Sequence, residues 1–127
     1  MENNQEFNFL GKRSTEPSKN LDVFPCPPNI SVVTFESDEL TSFCPVTHQP
    51  DFSKIVIEYS PCELCIESKS LKLYLWSFRE EALFGESLAS AIAEKVFEAT
   101  MPHWCRVKIR QNIRGGLQLE VLAEKKA

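Results

Sequence analysis

At 127 residues and 14.5 kDa the chain has room for one domain, and 43% hydrophobic with 25% charged residues is the balance of an ordinary globular protein. A net charge of −4 and a pI near 5.2 argue against a general binder of nucleic acid or of anionic membranes, and no apolar run is long enough to span a bilayer. The opening residues Met1-Glu2-Asn3-Asn4-Gln5-Glu6 lack the basic and apolar regions of a signal peptide, so a cytoplasmic location with mostly reduced cysteines is expected.

Residues 1–24 are polar and aperiodic and run into Pro25-Cys26-Pro27-Pro28, which reads as a tail, mobile or lying against a neighbour, ahead of one domain over 25–127. The alternating, β-branched run Ile30–Glu36 predicts a strand, and Lys54–Tyr59 predicts a second, stopped by Pro61. The period then lengthens. Leu71, Tyr74, Leu75 and Phe78 form one helical stripe. Leu88, Ala91, Ile92, Val96 and Ala99 form another, capped by Ser87 and ended before Pro102. At the C-terminal end Val107, Ile109, Gln111 and Ile113 share one face of a strand and Arg106, Lys108 and Arg110 the other. Arg114-Gly115-Gly116 supplies a turn, and Leu117, Leu119 and Val121 return. Gln118, Glu120 and Glu124 are expected across from the basic residues, an ordinary cross-strand pairing and not a phosphate groove. The order ββααββ is that of an α+β domain with an antiparallel sheet.

Between the first two strands lies Cys44-Pro45-Val46-Thr47-His48-Gln49-Pro50-Asp51, a thiol and a carboxylate on one proline-stiffened loop. Proline cannot extend a sheet ladder, so the stretch is expected outside both helix and central strand. A thiol there can act as a nucleophile and a nearby carboxylate can move its protons; Cys44 alone would read as a buried structural cysteine. Cys62-Glu63-Leu64-Cys65 is read as small residues near a strand end. No second Cys or His pair is spaced to complete a zinc site, and no βαβ pattern surrounds it as a redox motif would need.

Glu67-Ser68-Lys69-Ser70-Leu71-Lys72-Leu73-Tyr74, together with Cys44…Asp51, closely resembles the NADPH-dependent nitrile reductases that reduce 7-cyano-7-deazaguanine in queuosine synthesis. The likeness continues through Trp76-Ser77-Phe78-Arg79, Phe84, Glu86 and Arg114-Gly115-Gly116, over roughly residues 20 to 123. It implies a tunnelling fold, with subunits joined edge to edge into barrels and sites between them. The short single-module form is similar to members that stack two pentameric rings. The resemblance further implies that Cys44 attacks the nitrile carbon to form a thioimide and that Asp51 donates protons while two NADPH supply hydride. Glu67 and Glu86 would read the deazaguanine ring, Ile66 and Ser68 would add backbone contacts, and Phe84 a stacking face. Lys69 and Lys72 would meet the NADPH phosphates with Ser68, Arg114 and Gly115. Read without the likeness, the glutamates compensate a helix start, the lysines form a solvated face and Arg114-Gly115 is a tight turn.

One position departs from the pattern: Gly85 stands in the substrate-binding run where the family carries histidine, in Phe84-Gly85-Glu86, while His48 stands where glycine is usual. Either His48 replaces the missing imidazole or it is a tolerated loop residue. Gly85 keeps open an amidinotransferase-like relative using the same thioimide, and a non-catalytic deazaguanine-binding protein is the alternative outside enzymes. The small-molecule substrate, not nucleic acid or membrane, is the expected partner besides other copies of the chain.

Overall fold

The pattern of side chains that must leave water explains the architecture of the computed structural model, which describes residues 7–8 and 16–127. Its elements are β1 (Val23–Pro25), β2 (Val33–Phe43), β3 (Pro50–Ser60), β4 (Leu64–Ile66), α1 (Ser68–Trp76), α2 (Gly85–Thr100), β5 (Trp104–Gln111) and β6 (Glu120–Lys126). β2, β3, β5 and β6 form one antiparallel sheet in that order, and β1 pairs with β4 in a small second sheet. The α+β, antiparallel arrangement is therefore the one expected.

One sheet face carries Ile55, Ile57, Tyr59, Cys105, Val107 and Ile109, all buried, and meets Leu88, Ile92 and Val96 of α2. The other face carries the charges. Arg106 pairs with Glu124 at 3.2 Å, Lys108 with Glu120 at 3.8 Å, and Arg110 donates to Gln118 at 3.1 Å. These are the expected cross-strand partners; exposed pairs of this kind are each worth about 0–1 kcal/mol.

Several boundaries differ from the sequence reading. The first strand starts at Val33 and runs to Phe43; Ile30 and Val32 are exposed beside Asn29, whose φ of 73° breaks the chain direction. A register shift between Ser37 and Leu40 lets β2 bend. β3 begins at Pro50, so Pro50 and Asp51 belong to a strand and not to the loop. Proline is tolerated as the first residue of a strand, and here it stands opposite Phe43 where the hairpin opens. In α2, Ser87 lies inside the helix. The cap position falls on Phe84, because Phe43 N–H bonds Glu81 C=O (2.8 Å) and Leu83 N–H bonds Phe43 C=O (3.1 Å), pinning the preceding segment to β2. Ala91 faces solvent, whereas Ala89 and Ala93 are buried; alanine buries too little area to mark a face by itself. α1 ends at Trp76, and Phe78 reaches the core from the turn beyond it.

The β5–β6 ladder closes with Gln111 N–H on Leu119 C=O (2.9 Å), and the segment between them loops out. Ile113 and Leu117, expected on strand faces, are therefore exposed, and β6 starts only at Glu120. At the tip Arg114 and Leu117 exchange backbone bonds of 2.8 and 3.0 Å around Gly115 (φ 57°) and Gly116 (φ 79°), a two-residue turn that needs positive φ twice.

Of the expected tail, residues 1–6 and 9–15 lie outside the described residues. The rest is knitted in. Lys19 pairs with Glu81 and sits 3.4 Å from the Phe78 ring centre; buried Asp22 accepts Glu67 N–H on its carbonyl (2.9 Å) and donates its own N–H to Ser70 Oγ (2.9 Å). Neither short strand β1 nor β4 shows a periodicity that three residues could carry.

Candidate active site

Cys44 follows β2 directly and opens a six-residue connection whose geometry is set by its own backbone. Cys44 N–H bonds Gln49 C=O and His48 N–H bonds Cys44 C=O, both at 2.9 Å. To close, this turn holds His48 at φ 60°, in the left-handed region. That conformation favours glycine. The thiol is partly exposed, and hydrogen bonds from the Thr47 side chain, then from the Thr47 and Val46 backbones, lower its pKa from 9.0 to about 7, with the Arg114 charge adding a smaller effect. The lowering favours the thiolate near neutral pH, the form a nucleophilic cysteine requires.

Asp51 faces Ser42 across the β2–β3 ladder and is 6% exposed. One oxygen pairs with the Arg114 guanidinium, whose second nitrogen bonds the Gln49 side chain. Arg114 comes from the glycine turn of the distant hairpin. It was expected among cofactor phosphates with Lys69 and Lys72; on this chain it braces the Cys44 loop and the carboxylate behind it. Thr47, which bonds the Cys44 thiol, and Gln49, which bonds Arg114, are side chains that the sequence reading passed over, and their place in the same loop was the available signal.

The Phe84-Gly85-Glu86 run reaches this neighbourhood through Ala82, which bridges to Phe43 next to Cys44. Phe84 is exposed, as a stacking face must be, and Glu86 is exposed in the first turn of α2, where a carboxylate is favoured by the helix dipole. Gly85 is buried against the hairpin. The His48 ring leans toward Phe43, 6.4 Å between centres, and the atoms nearest a β-carbon on residue 85 belong to Leu119 and Gln111.

The second group gathers at the start of α1. Glu67 is 7% exposed and caps its own helix, accepting Lys69 N–H at 2.8 Å and Ser70 N–H at 3.0 Å. Two lone pairs are spent on the cap, and a carboxylate has others to offer a ligand. Ile66 is buried, its N–H held by the Tyr59 hydroxyl at 2.8 Å; burial drives the Tyr59 hydroxyl pKa upward. Lys69 is partly buried and Ser68 and Lys72 are exposed. Ser68, Lys72 and Arg79 line a cleft of about 820 Å³ whose opposite wall carries Glu36, Asp38 and Glu39. Phe43 and Pro50, the neighbours of Cys44 and Asp51, line the same cleft.

Cys62 is exposed. Cys65 is buried beside Cys26 and Tyr59, where burial and then the Cys26 thiol push its pKa up to about 11, the opposite of a nucleophile. Among the described residues no cluster of three or more His, Cys, Asp or Glu is placed to hold a metal ion.

Residues 50–127 match the family described as QueF-like protein. The chain is 45% identical over 116 residues to the NADPH-dependent 7-cyano-7-deazaguanine reductase of Syntrophus aciditrophicus (strain SB), across 90% of this chain and 83% of that protein. To the NADPH-dependent 7-cyano-7-deazaguanine reductase of Alkalilimnicola ehrlichii it is 42% identical over 113 residues, across 87% and 88%. Among solved structures, the archaeosine synthase QueF-Like in its apo form superimposes with a TM-score of 0.70 at 28% identity, covering 74% of this chain and 92% of that one. The architecture is thus the expected tunnelling fold at the level of one subunit. With more than half of its length inside the family match and relatives this similar, the chain belongs to the QueF-like protein family.

Proposed function

We propose that this protein reduces the nitrile of 7-cyano-7-deazaguanine to an aminomethyl group with two NADPH, in queuosine biosynthesis. The observation that carries the reading is the Cys44 thiol, its pKa lowered to about 7 chiefly by Thr47, on a loop that Arg114 ties to the buried Asp51 carboxylate, in a chain so similar to reductases of that name.

Cys44 and Asp51 are the catalytic pair. The Cys44 thiolate forms the C–S bond to the nitrile carbon, the π electrons move to nitrogen, and that nitrogen takes a proton from Asp51, giving a thioimide. On the way to the amine the C–S bond breaks again and its electron pair returns to sulfur. Glu67 and Glu86 offer acceptors to the N–H and amino donors of the ring, with Ile66, Ser68 and Gly85 alongside and Phe84 beneath. The cleft fits an anionic nucleotide on its α1 side, where Ser68 and Lys72 stand with Lys69 behind them. NADPH bound there supplies hydride. Arg114 reaches the Cys44 loop through Asp51 and Gln49. A site shared between subunits would bring Arg114 and Gly115 together with the lysines. The 11-residue β2 and the 7-residue β6 are open edges of the sheet, which edge-to-edge assembly into a barrel of two stacked pentamers would cover. The enzyme would work in the cytoplasm, where its free cysteines stay reduced. Among the described residues no helix is long and apolar enough to cross a membrane.

The test is NADPH oxidation by the purified protein on adding 7-cyano-7-deazaguanine, with Cys44→Ala as control. Cys44-dependent oxidation with two NADPH used per amine supports the reading. Conversion that needs ammonia and no NADPH would establish the amidinotransferase instead, and binding without covalent capture the non-catalytic alternative.

A further inference from the structure

Two buried hydroxyls flank Asp51. Ser42 is 0% and Ser53 2% exposed, and among the described residues neither side-chain oxygen has a hydrogen-bond partner. Both belong to the sheet face that meets α2. Ser42 pairs with Asp51 across the β2–β3 ladder. Ser53 follows Asp51 by two residues and pairs with Leu40 on one side and Gln111 on the other. Residues directly paired, or two apart on one strand, share a face. Ser42, Asp51, Ser53 and Gln111 therefore form one polar patch at the end of a face that is otherwise apolar, next to Leu40 and Ile55, each 1% exposed. The Gln111 side chain reaches from this patch to the start of α2, 3.2 Å from where a β-carbon on Gly85 would stand.

A hydroxyl that leaves solvent without a new partner loses free energy, and native folds seldom leave one so. A water suits these groups because it donates to one oxygen while it accepts from the next, and a buried water makes two to four such bonds. An anion would meet the Asp51 carboxylate instead, and among the described residues no set of three or more His, Cys, Asp or Glu is placed for a metal ion. The geometry points to an internal water held by Ser42 and Ser53 against Asp51, with both serines acting as positioning residues for that carboxylate. The Arg114 guanidinium, which pairs with one Asp51 oxygen, can only donate. It suits the charged carboxylate and offers nothing to a carboxyl O–H. The water donates to the charged form and accepts from the protonated one. It thereby keeps the Asp51 side chain in one orientation while a proton leaves and returns, as a proton donor requires. This last step rests on the reductase reading; the water site does not.

Two experiments without substrate or cofactor test the site. In a crystal structure that orders solvent, a water is expected within about 3.2 Å of both serine oxygens, and none there in Ser42→Ala/Ser53→Ala. Hydroxyls that are dry, or bonded to protein groups instead, overturn the inference. In urea unfolding, Ser42→Ala and Ser53→Ala should each raise the unfolding equilibrium constant roughly two- to tenfold, since each removes a made bond. The double variant should cost less than the product of the two, because one shared water is lost only once. Single variants at least as stable as the native chain, or strictly multiplicative effects, overturn it as well. The role toward Asp51 is read in turnover. The double variant should lower kcat by about tenfold while KM for 7-cyano-7-deazaguanine and the labelling rate of Cys44 stay native. An unchanged kcat overturns that role. A native chain that oxidises no NADPH defeats the reductase reading and the role in turnover with it, while the crystal structure and the unfolding cycle still decide the water site.

Discussion

A β-carbon on Gly85 would stand 2.7 Å from Cδ2 of Leu119, and 3.2 Å from Nε2 of Gln111. Leu119 belongs to the looped-out part of the β5–β6 hairpin, and it occupies the space that a side chain on residue 85 would need. The space beside position 85 is thus filled from the hairpin. Gly85→Ala should cost about 1 kcal/mol in chemical denaturation, since overpacking outweighs the small propensity gain at the first helical residue. Leu119→Ala in the same chain should remove most of that cost. Additive effects in the double-mutant cycle would show that the two positions do not compete for one space.

Cys44 should alkylate with a pH midpoint of about 7, slow below it and fast above it, because the thiolate is the reacting form. The largest cause of the lowering is the Thr47 side chain. Thr47→Val keeps the shape and deletes the hydroxyl, so the midpoint should move up toward 9.0 while the melting temperature changes little. Rates of iodoacetamide labelling across pH, read on the intact mass, check this. An unchanged midpoint would assign the shift to the backbone donors instead.

Glu67 has a structural duty that precedes any ligand. Loss of a carboxylate cap in Glu67→Ala should destabilise the free protein by about 1 kcal/mol, on top of any loss in substrate affinity. Urea unfolding without ligand isolates the cap. A variant that binds substrate poorly yet unfolds like the native chain would show that the two backbone bonds are not worth counting.

His48 is held at φ 60° with its ring toward Phe43. Relief of the left-handed strain should let His48→Gly gain up to about 0.5 kcal/mol after the extra chain entropy of glycine is counted, with turnover near native. A deep loss of turnover in steady-state assays would instead revive the idea that this imidazole replaces the one missing at position 85.

The order of strands and helices, the Arg114-Gly115-Gly116 turn and the pairing of Arg106, Lys108 and Arg110 with Glu124, Glu120 and Gln118 were all legible in the sequence. Each rests on local periodicity or on residues facing one another across a short hairpin. The Cys44 loop and the α1 motif were legible as a resemblance, because reactive groups cluster in runs that stay together in the chain. What the sequence could not place depends on contacts between distant segments. The β1–β4 pair is too short to carry a period. The start of α2 at Gly85 follows from backbone bonds between Phe43 and the 81–83 segment. Pro50 and Asp51 read as loop because proline ends ladders more often than it begins them. Arg114, read from its motif as a phosphate ligand, is carried by the folded hairpin onto Asp51 and Gln49. The sequence by itself offered the groups proposed for the chemistry, since their reactivity is a property of residue type; only the tertiary structure decided which charge sits beside Asp51, since that depends on a guanidinium brought in from a hairpin 63 residues away along the chain.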